Sequence, residues 1–222
     1  MKNLITIGLP SKGRLKDKSI NFFKDNGLEV LQNDKERNYF ASIEGNPGIK
    51  IIYLHAKEII QRLGDGTLDI GISGLDLLNE TQKNLQDKIR IKQKLNFGSA
   101  NLVIAVPDDW IDVQTIADLE EVAFDIRFKR NSRLRVATKY PNLTNDFLIS
   151  KGVTQYKLIS SLGATETYPF IGSSEIISDI TSTGKTLVDN NLRVLKDGLI
   201  LRSQACLLTS KKSRNKIQSL KF

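Results

Sequence analysis

The fold of this chain is decided by residues 3–27, which read NLITIGLPSKGRLKDKSINFFKDNG. Residues 3–9 are mostly aliphatic and β-branched, a composition that predicts a buried strand. Residues 10–13, Pro-Ser-Lys-Gly, predict a turn. Apolar residues then recur at helical spacing until Gly27, a typical residue just past a helix end. A strand, a turn and a helix in this order predict an α/β fold.

The same alternation of short strands and helical segments continues along the chain. It predicts mixed sheets with covering helices. Further strands are predicted over 68–72, 89–95, 101–106, 134–137, 156–159, 192–195 and 199–209. Further helices are predicted over 56–63 with Gly64 just past the end, over 143–151 capped by Asn142 or Thr144, and over 176–180 as a serine-capped helix.

A turn signal at Pro107-Asp108-Asp109 follows two strand-like segments and indicates the passage into a second lobe. We therefore expect lobe I to span residues 1–95. The returning strands should complete lobe I with about residues 190–222, which leaves residues 96–189 for lobe II.

The composition excludes several classes of protein. The chain has 222 residues, 40% of them apolar, which is enough for its own core. One cysteine and one histidine exclude a disulfide scaffold and a closed zinc site. The first nine residues carry too short an apolar run for a signal peptide or a membrane span, so we expect a cytoplasmic protein with no membrane partner.

The net charge of +8 attracts anions, both phosphorylated metabolites and nucleic acid. Much of the basic excess lies in residues 127–135 and in a C-terminal cluster within residues 211–221. Neither cluster is interleaved with the aromatic residues that stack on bases. We interpret both as solvated basic surface and expect no nucleic-acid partner, although nucleic-acid binding stays open as an alternative.

Residues 179–187, DITSTGKTL, carry the strongest chemical signal. Small hydroxyl residues around a glycine allow several backbone amides to converge on a phosphate. The segment is not a Walker A loop, because Asp179 stands where the first glycine is required. Glu166, Glu175 and Asp179 supply carboxylates suited to ribose hydroxyls or a hydrated Mg²⁺, with an ordinary surface acid as the alternative for Glu175. The alternative is an ordinary helix cap and turn.

A second set of cations lies near predicted strand ends. Lys12 and Arg14 flank Gly13 directly after the first strand, where open α/β sheets bind ligands. Arg133, Arg135 and Lys139 lie in or beside the strand over 134–137 and suit a polyphosphate. For both groups of cations the alternative is plain exposure to solvent. No Gly-x-Ser-x-Gly or Cys-His signature of a covalent nucleophile is present.

Six motifs in order resemble those of the short-form ATP phosphoribosyltransferase family, catalytic subunit. They are LPSKGRL (9–15), DIGISGLDLL (69–78), FG (97–98) with VIAVP (103–107), RVATKYPNLT (135–144), SLGATE (161–166) and EIISDITSTGKTL (175–187), and LILRSQA (199–205) extends the match. The resemblance implies two lobes like those of type II periplasmic binding proteins. It implies condensation of ATP, through adenine N1, with phosphoribosyl pyrophosphate (PRPP), which gives phosphoribosyl-ATP and pyrophosphate in the first step of histidine biosynthesis.

The resemblance also implies site residues, a cofactor and a partner. Mg²⁺ is expected, held mainly by substrate phosphates rather than by protein ligands. The short form implies a separate regulatory subunit similar to histidyl-tRNA synthetase, in place of the long form's histidine-binding domain. Asp179 and Glu166 are the expected catalytic residues. PRPP binding is expected at Asp179, Thr181, Ser182, Thr183, Gly184, Lys185 and Thr186, and ATP or pyrophosphate binding at Lys12, Gly13, Arg14, Gly74, Arg135 and Lys139.

The two-lobed architecture leaves one rival, because solute receptors and the effector domains of transcription regulators share it. The segment 179–187 favours the enzyme, since a solute receptor would not need a phosphate loop.

Overall fold

The computed structural model describes residues 4–32 and 39–218. In these residues the strands are β1 (Ile5–Pro10), β2 (Val30–Gln32), β3 (Phe40–Ile43), β4 (Asn46–Leu54), β5 (Ile70–Gly74), β6 (Ile89–Lys94), β7 (Ala100–Pro107), β8 (Leu134–Thr138), β9 (Tyr156–Ser160), β10 (Ile176–Thr181), β11 (Leu192–Ser203) and β12 (Ala205–Ser210). The α-helices are α1 (Gly13–Asp25), α2 (Ala56–Asp65), α3 (Leu75–Glu80), α4 (Lys83–Gln86), α5 (Ile116–Arg130), α6 (Pro141–Ser150) and α7 (Lys185–Asp189).

The chain divides into two compact units, Met1–Ser99 with Gln204–Phe222, and Ala100–Ser203. The passage into the second unit lies four residues beyond the expected boundary at 95/96. The return lies at 203/204 rather than near 190, because β11 pairs antiparallel with β7 and so belongs to the second sheet. The sequence predicted strands over 192–195 and 199–209, whereas the structure has one strand over 192–203 and another over 205–210, and the local pattern carried no information about the partner of either.

The first unit contains a sheet of strand order β2-β3-β4-β1-β5-β12-β6. β1 is parallel to β4 and β5, whereas β12 is antiparallel to both of its neighbours. Phe23 of α1 packs on one face, and Ile59 and Leu63 of α2 pack on the other. A Cβ at Gly71 would lie 2.5 Å from the Cγ2 of Ile59, so glycine lets α2 approach the sheet closely.

The second unit contains a sheet of order β11-β7-β10-β8-β9. β8, β9 and β10 are parallel, and β7 is antiparallel to β10 and β11. Helix α5 buries Ile116, Leu119 and Ala123 against this sheet's core. The parallel strands bring the segments after Thr138, Ser160 and Thr181 to one edge.

The predicted serine-capped helix over 176–180 is wrong, because these residues form the strand β10. β10 lies between β7 and β8, and Ile176, Ile177, Ser178 and Asp179 are all buried. A strand covered on both faces has a continuous apolar run instead of alternation, and a short run of this kind resembles a helix face.

Smaller differences concern helix ends. α2 continues through Gly64 and ends at Asp65, and the next residue, Gly66, adopts a left-handed φ of +87°. α6 begins at Pro141 with Tyr140 as its N-cap, so the predicted caps Asn142 and Thr144 lie inside the helix. Helix α5 was not predicted. Its last turn carries Arg127, Lys129 and Arg130, where cations stabilise the helix dipole, and this accounts for much of the first basic cluster.

Candidate functional site

The carboxyl edge of the second sheet carries a loop with the properties of a phosphate site. β10 ends at Thr181, and the chain turns through Gly184, with φ +77°, into α7. Oγ1 of Thr181 accepts a hydrogen bond from the Gly184 amide at 3.0 Å, and Oγ1 of Thr183 accepts one from the Lys185 amide at 3.3 Å. These side chains hold the turn, whose residues are otherwise largely exposed.

Some amides of this loop are available to a ligand. In the described part of the chain, the amides of Thr183 and Thr186 have no hydrogen-bond partner. Free amides of this kind, together with the Lys185 ammonium, suit a phosphate. The residues predicted to bind PRPP from Thr181 to Thr186 thus form one segment, which runs from the end of β10 to the start of α7.

Asp179 and Lys139 are brought together at the base of this loop. Nζ of Lys139, just past β8, lies 3.8 Å from Oδ2 of Asp179. The Asp179 side chain is 12% exposed and its Oδ1 accepts a hydrogen bond from the Ile180 amide at 2.8 Å. Lys139 keeps 39% of its side chain exposed, so its ammonium can also meet an anion. The sequence motifs assigned Asp179 to PRPP and Lys139 to ATP or pyrophosphate. In the structure the two side chains lie side by side.

A buried chain of hydroxyls behind Asp179 and Lys139 was missed. Thr144 donates to Oγ of Ser178 at 2.8 Å, and its Oγ1 lies 3.3 Å from that of Thr138. Oγ1 of Thr138 accepts from the Tyr140 amide at 2.9 Å. This chain ties β8, β10 and α6 together next to the site. Two of its members stand in the motif at 135–144, which is the signal that could have identified them.

Glu166 lies in the segment after β9, in a short 3₁₀ turn over Thr165–Thr167. Oγ of Ser161 and Oγ1 of Thr165 lie 2.8 Å apart and fold this segment over the end of β9. Ala164 has a left-handed φ of +46°. Glu166 is therefore at the same edge as the loop after β10, with β8 between their strands.

Arg135 is not brought to that loop. It lies near the start of β8, about 13 Å of strand away from Lys139. Its Nη2 donates to Oε1 of Glu175 at 2.7 Å and its Nη1 donates to the Gly172 carbonyl at 2.8 Å. These hydrogen bonds with Glu175 raise the pKa of Arg135. The guanidinium is thus engaged in pinning β8 to the start of β10.

In the first unit, β1 and β5 are parallel neighbours, so the segments after them share an edge. Lys12, Gly13 and Arg14 follow β1 and are exposed, and neither cation forms an ion pair with a described residue. Gly74 ends β5, where a Cβ would lie 2.2 Å from Oδ1 of Asp76. The structure therefore brings Gly74 to the same edge as Lys12 and Arg14.

Comparison with known proteins decides the family. The family model HisG, ATP phosphoribosyltransferase, matches residues 55–221. The ATP phosphoribosyltransferase of Chelativorans sp. is 47% identical over 211 residues, 95% of this chain and 92% of that protein. The enzyme of Brucella melitensis is 48% identical over 210 residues, 94% of this chain and 91% of that protein. The chain belongs to the ATP phosphoribosyltransferase family.

Solved structures agree with this assignment. The ATP phosphoribosyltransferase HisG:HisZ complex from Thermotoga maritima superposes with a TM-score of 0.72 at 25% identity, over 96% of this chain and 89% of that chain. An amino-acid ABC transporter extracellular-binding protein from Bacillus subtilis gives a TM-score of 0.54 at 12% identity, over 96% of this chain and 86% of that chain, which shows the fold alone.

The predictions of the family, the activity and the two-lobed α/β fold are therefore confirmed. This ATP phosphoribosyltransferase carries out the first step of histidine biosynthesis. In the described residues, no helix is long and apolar enough to cross a membrane, and no three His, Cys, Asp or Glu residues are placed to hold a metal ion.

Proposed function

We propose that the second unit of this ATP phosphoribosyltransferase binds PRPP, with the 5′-phosphate on the loop Thr181–Thr186 and the ribose hydroxyls at Asp179. The observation that carries this proposal is the juxtaposition of that loop with the Asp179–Lys139 pair. Glu166, at the same sheet edge, is the second carboxylate proposed for the ribose. In the first unit, Lys12, Gly13, Arg14 and Gly74 are proposed to contact ATP or pyrophosphate.

Lys139 is proposed as a further anion contact, because it remains partly exposed beside Asp179. Arg135 has less support for such a role, since its donors are taken by Glu175 and Gly172.

Mg²⁺ enters this proposal as part of the substrates. Asp179 has an ammonium neighbour rather than further carboxylates, and this arrangement does not suit a protein-held cation. Magnesium bound to the phosphates of ATP and PRPP offsets their charge. We place the reaction in the cytoplasm, in keeping with a free thiol at Cys206.

In the reaction, the lone pair of adenine N1 attacks C1 of the PRPP ribose. The bond from C1 to the pyrophosphate oxygen breaks, and its electron pair leaves with pyrophosphate. Adenine N1 is already a nucleophile, so the protein mainly aligns the substrates and stabilises charge. The Asp179 carboxylate would favour the positive charge that develops on the sugar.

The two side chains best suited to covalent catalysis, Cys206 and His55, give little support to a mechanism with a covalent enzyme intermediate. Cys206 is fully buried and burial raises the pKa of its thiol, which disfavours the thiolate. His55 caps α2, where its Nδ1 accepts from the Lys57 amide at 3.3 Å.

We further propose a separate regulatory subunit, similar to histidyl-tRNA synthetase, as the partner of this chain. Its support is the likeness to a chain solved as a HisG:HisZ complex.

The loop assignment is tested by steady-state kinetics of Thr183→Ala and Lys185→Gln with PRPP varied. Each should raise the KM for PRPP by roughly tenfold to 150-fold, as expected for the loss of one hydrogen bond to a charged group, about 1.5–3 kcal/mol. The KM for ATP should change less. Equal effects on both substrates, or none, would place the 5′-phosphate elsewhere.

A further inference from the structure

The C-terminal basic cluster helps to form a cavity on the first unit that the proposed reaction does not use. The cavity has a volume of about 640 Å³, within the range of small-molecule sites. Four cations line it, Arg90 and Lys92 from β6, and Lys211 and Arg214 from the segment after β12. Thr209 and Ser210, the last residues of β12, also line it.

The fold places this cavity at the edge of the sheet opposite to Lys12 and Arg14. β12 is antiparallel to β5, and Thr209 pairs with Ile70, the first residue of β5. β6 pairs with β12 through an irregular register, in which Leu208 faces Ile91 and Leu207 faces Gln93. Lys92 is therefore the extra residue of a bulge, a feature that redirects a side chain.

The four cations have no counter-charge in the described residues. None of them forms an ion pair there. Asp69, which the same C-terminal segment covers, is already neutralised by Lys216 at 2.6 Å and accepts from Ser213 at 2.6 Å. Cations on an edge strand also discourage pairing with other chains, which would account for Arg90 and Lys92. That role does not explain Lys211 and Arg214 or the concave shape.

One hydroxyl lies on the same face of the sheet as the cations. Thr209 pairs with Arg90, so their side chains share a face, and within the described residues Oγ1 of Thr209 makes one long hydrogen bond, to the Arg90 carbonyl at 3.5 Å. Ser210, the next residue of β12, pairs with the buried Ile89 and points to the opposite face, so its enclosed Oγ is not directed at the cavity. The Thr209 hydroxyl therefore keeps hydrogen-bonding capacity for a ligand.

We propose that this cavity binds a small phosphate-bearing anion. Arginine forks and lysine ammonium groups match phosphate oxygens, and the Thr209 hydroxyl adds a neutral donor. Phosphate suits the cavity better than a single carboxylate, because the four exposed cations that line it can neutralise more than one negative charge. The proposal is independent of the PRPP loop, which lies in the other unit.

The test is a titration of the deuterated, ¹⁵N-labelled full chain with inorganic pyrophosphate, followed by amide chemical shifts. Residue-resolved shifts separate this cavity from the two other places where pyrophosphate can bind, the proposed pyrophosphate contacts at residues 12–14 and 74 and the loop Thr181–Thr186. We expect saturable shifts at the amides of Thr209, Ser210 and Lys211. In Arg90→Gln/Arg214→Gln, the dissociation constant from these amides should rise at least about tenfold, while shifts in the loop remain.

The matched control is Arg130→Gln/Arg133→Gln, which removes two exposed arginines of the second unit. It should leave the cavity's dissociation constant within about twofold. Absent shifts at residues 209–211, or equal losses in both double variants, would overturn the proposal. Shifts produced by a polyglutamate peptide but not by pyrophosphate would also overturn it, in favour of an acidic protein segment.

Discussion

Asp179 is the residue on which the proposed chemistry depends most. It is the one carboxylate that the structure places both in the strand leading to the loop and beside a cation, Lys139. Its side chain is 12% exposed, and its Oδ1 accepts a hydrogen bond from the Ile180 amide at 2.8 Å. The carboxylate is therefore held in place before any substrate binds, which is the condition for electrostatic stabilisation of a transition state.

Asp179→Asn is expected to lower kcat at least roughly tenfold, which corresponds to about 1.4 kcal/mol of transition-state stabilisation. The amide keeps the shape but loses the charge that opposes the developing positive charge on the sugar. Steady-state kinetics of the folded variant check this. Asp146→Asn, at an exposed site of the same unit, is the control and should be near wild type. Near wild-type kinetics for Asp179→Asn would remove it from the site.

Asp69 has a structural role that makes stability depend on pH. Burial alone would raise the pKa of its carboxyl, but hydrogen bonds from Lys216, Ser213 and Thr6 outweigh burial and lower the pKa. The folded pKa therefore lies below the unfolded value of about 3.9. The carboxylate contributes stability above that value, and the contribution is lost as the pH falls through the folded pKa.

Asp69→Asn is expected to reduce the free energy of unfolding by about 3 kcal/mol at pH 7, because Lys216 loses its buried partner. The difference from wild type should shrink as the pH falls below about 4. Urea denaturation at several pH values measures both effects. Asp87→Asn, which breaks an exposed pair with Lys83, should cost less than about 1 kcal/mol. A constant difference across pH would contradict the assignment.

At the scale of elements, the turn from β10 to α7 depends on the left-handed conformation of Gly184. A Cβ there would meet nothing within 4 Å, so the cost of a side chain is backbone strain rather than a clash. Gly184→Ala should lower the free energy of unfolding by about 1–2 kcal/mol and raise the KM for PRPP.

Gly163→Ala is the matched control for stability. As at Gly184, a Cβ at Gly163 would meet nothing within 4 Å, but Gly163 does not have a left-handed φ. It should change the free energy of unfolding by less than about 1 kcal/mol. Thermal or urea denaturation of both variants, with PRPP kinetics of Gly184→Ala, makes the comparison. Equal losses of stability in the two variants would show that strain at Gly184 is not the cause.

Sequence patterns predicted most of the helices and strands, but they did not predict which strands pair with one another. The strand-turn-helix over 3–27 followed from local composition alone, and so did the hydroxyl-rich turn around Gly184 after β10. β10 itself was predicted as a helix, because burial on both faces removes the alternation that marks a strand. The partner of β11 and the Arg135–Glu175 pair depend on contacts distant in sequence, which no local pattern contains.

At the scale of the whole molecule, we propose that PRPP binds to the second unit and that the first unit contacts ATP or pyrophosphate. The reaction of the family takes two of these anions, ATP and PRPP, as substrates and releases the third, pyrophosphate. The net charge of +8 suits such ligands. The hydroxyl and amide groups of the loop Thr181–Thr186 would then give a specificity for phosphate that net charge alone does not provide.

Regulation belongs to this scale as well. If the histidine site lies on a separate subunit, the chain alone should show low activity and no response to histidine. Adding the partner should raise activity, and histidine should inhibit only the complex. Rate measurements with and without the partner, and calorimetry of the chain with histidine, make the comparison. Tight histidine binding by the isolated chain would contradict a separate regulatory subunit.

The most direct test of the central claim is a mass-spectrometric assay for phosphoribosyl-ATP from ATP, PRPP and Mg²⁺, with the regulatory subunit supplied. We expect phosphoribosyl-ATP and pyrophosphate in equal amounts, with formation slowed at least about tenfold in Asp179→Asn. Folded chain that forms no phosphoribosyl-ATP with the partner present would contradict the activity, and product formation unchanged in Asp179→Asn would contradict the proposed role of Asp179.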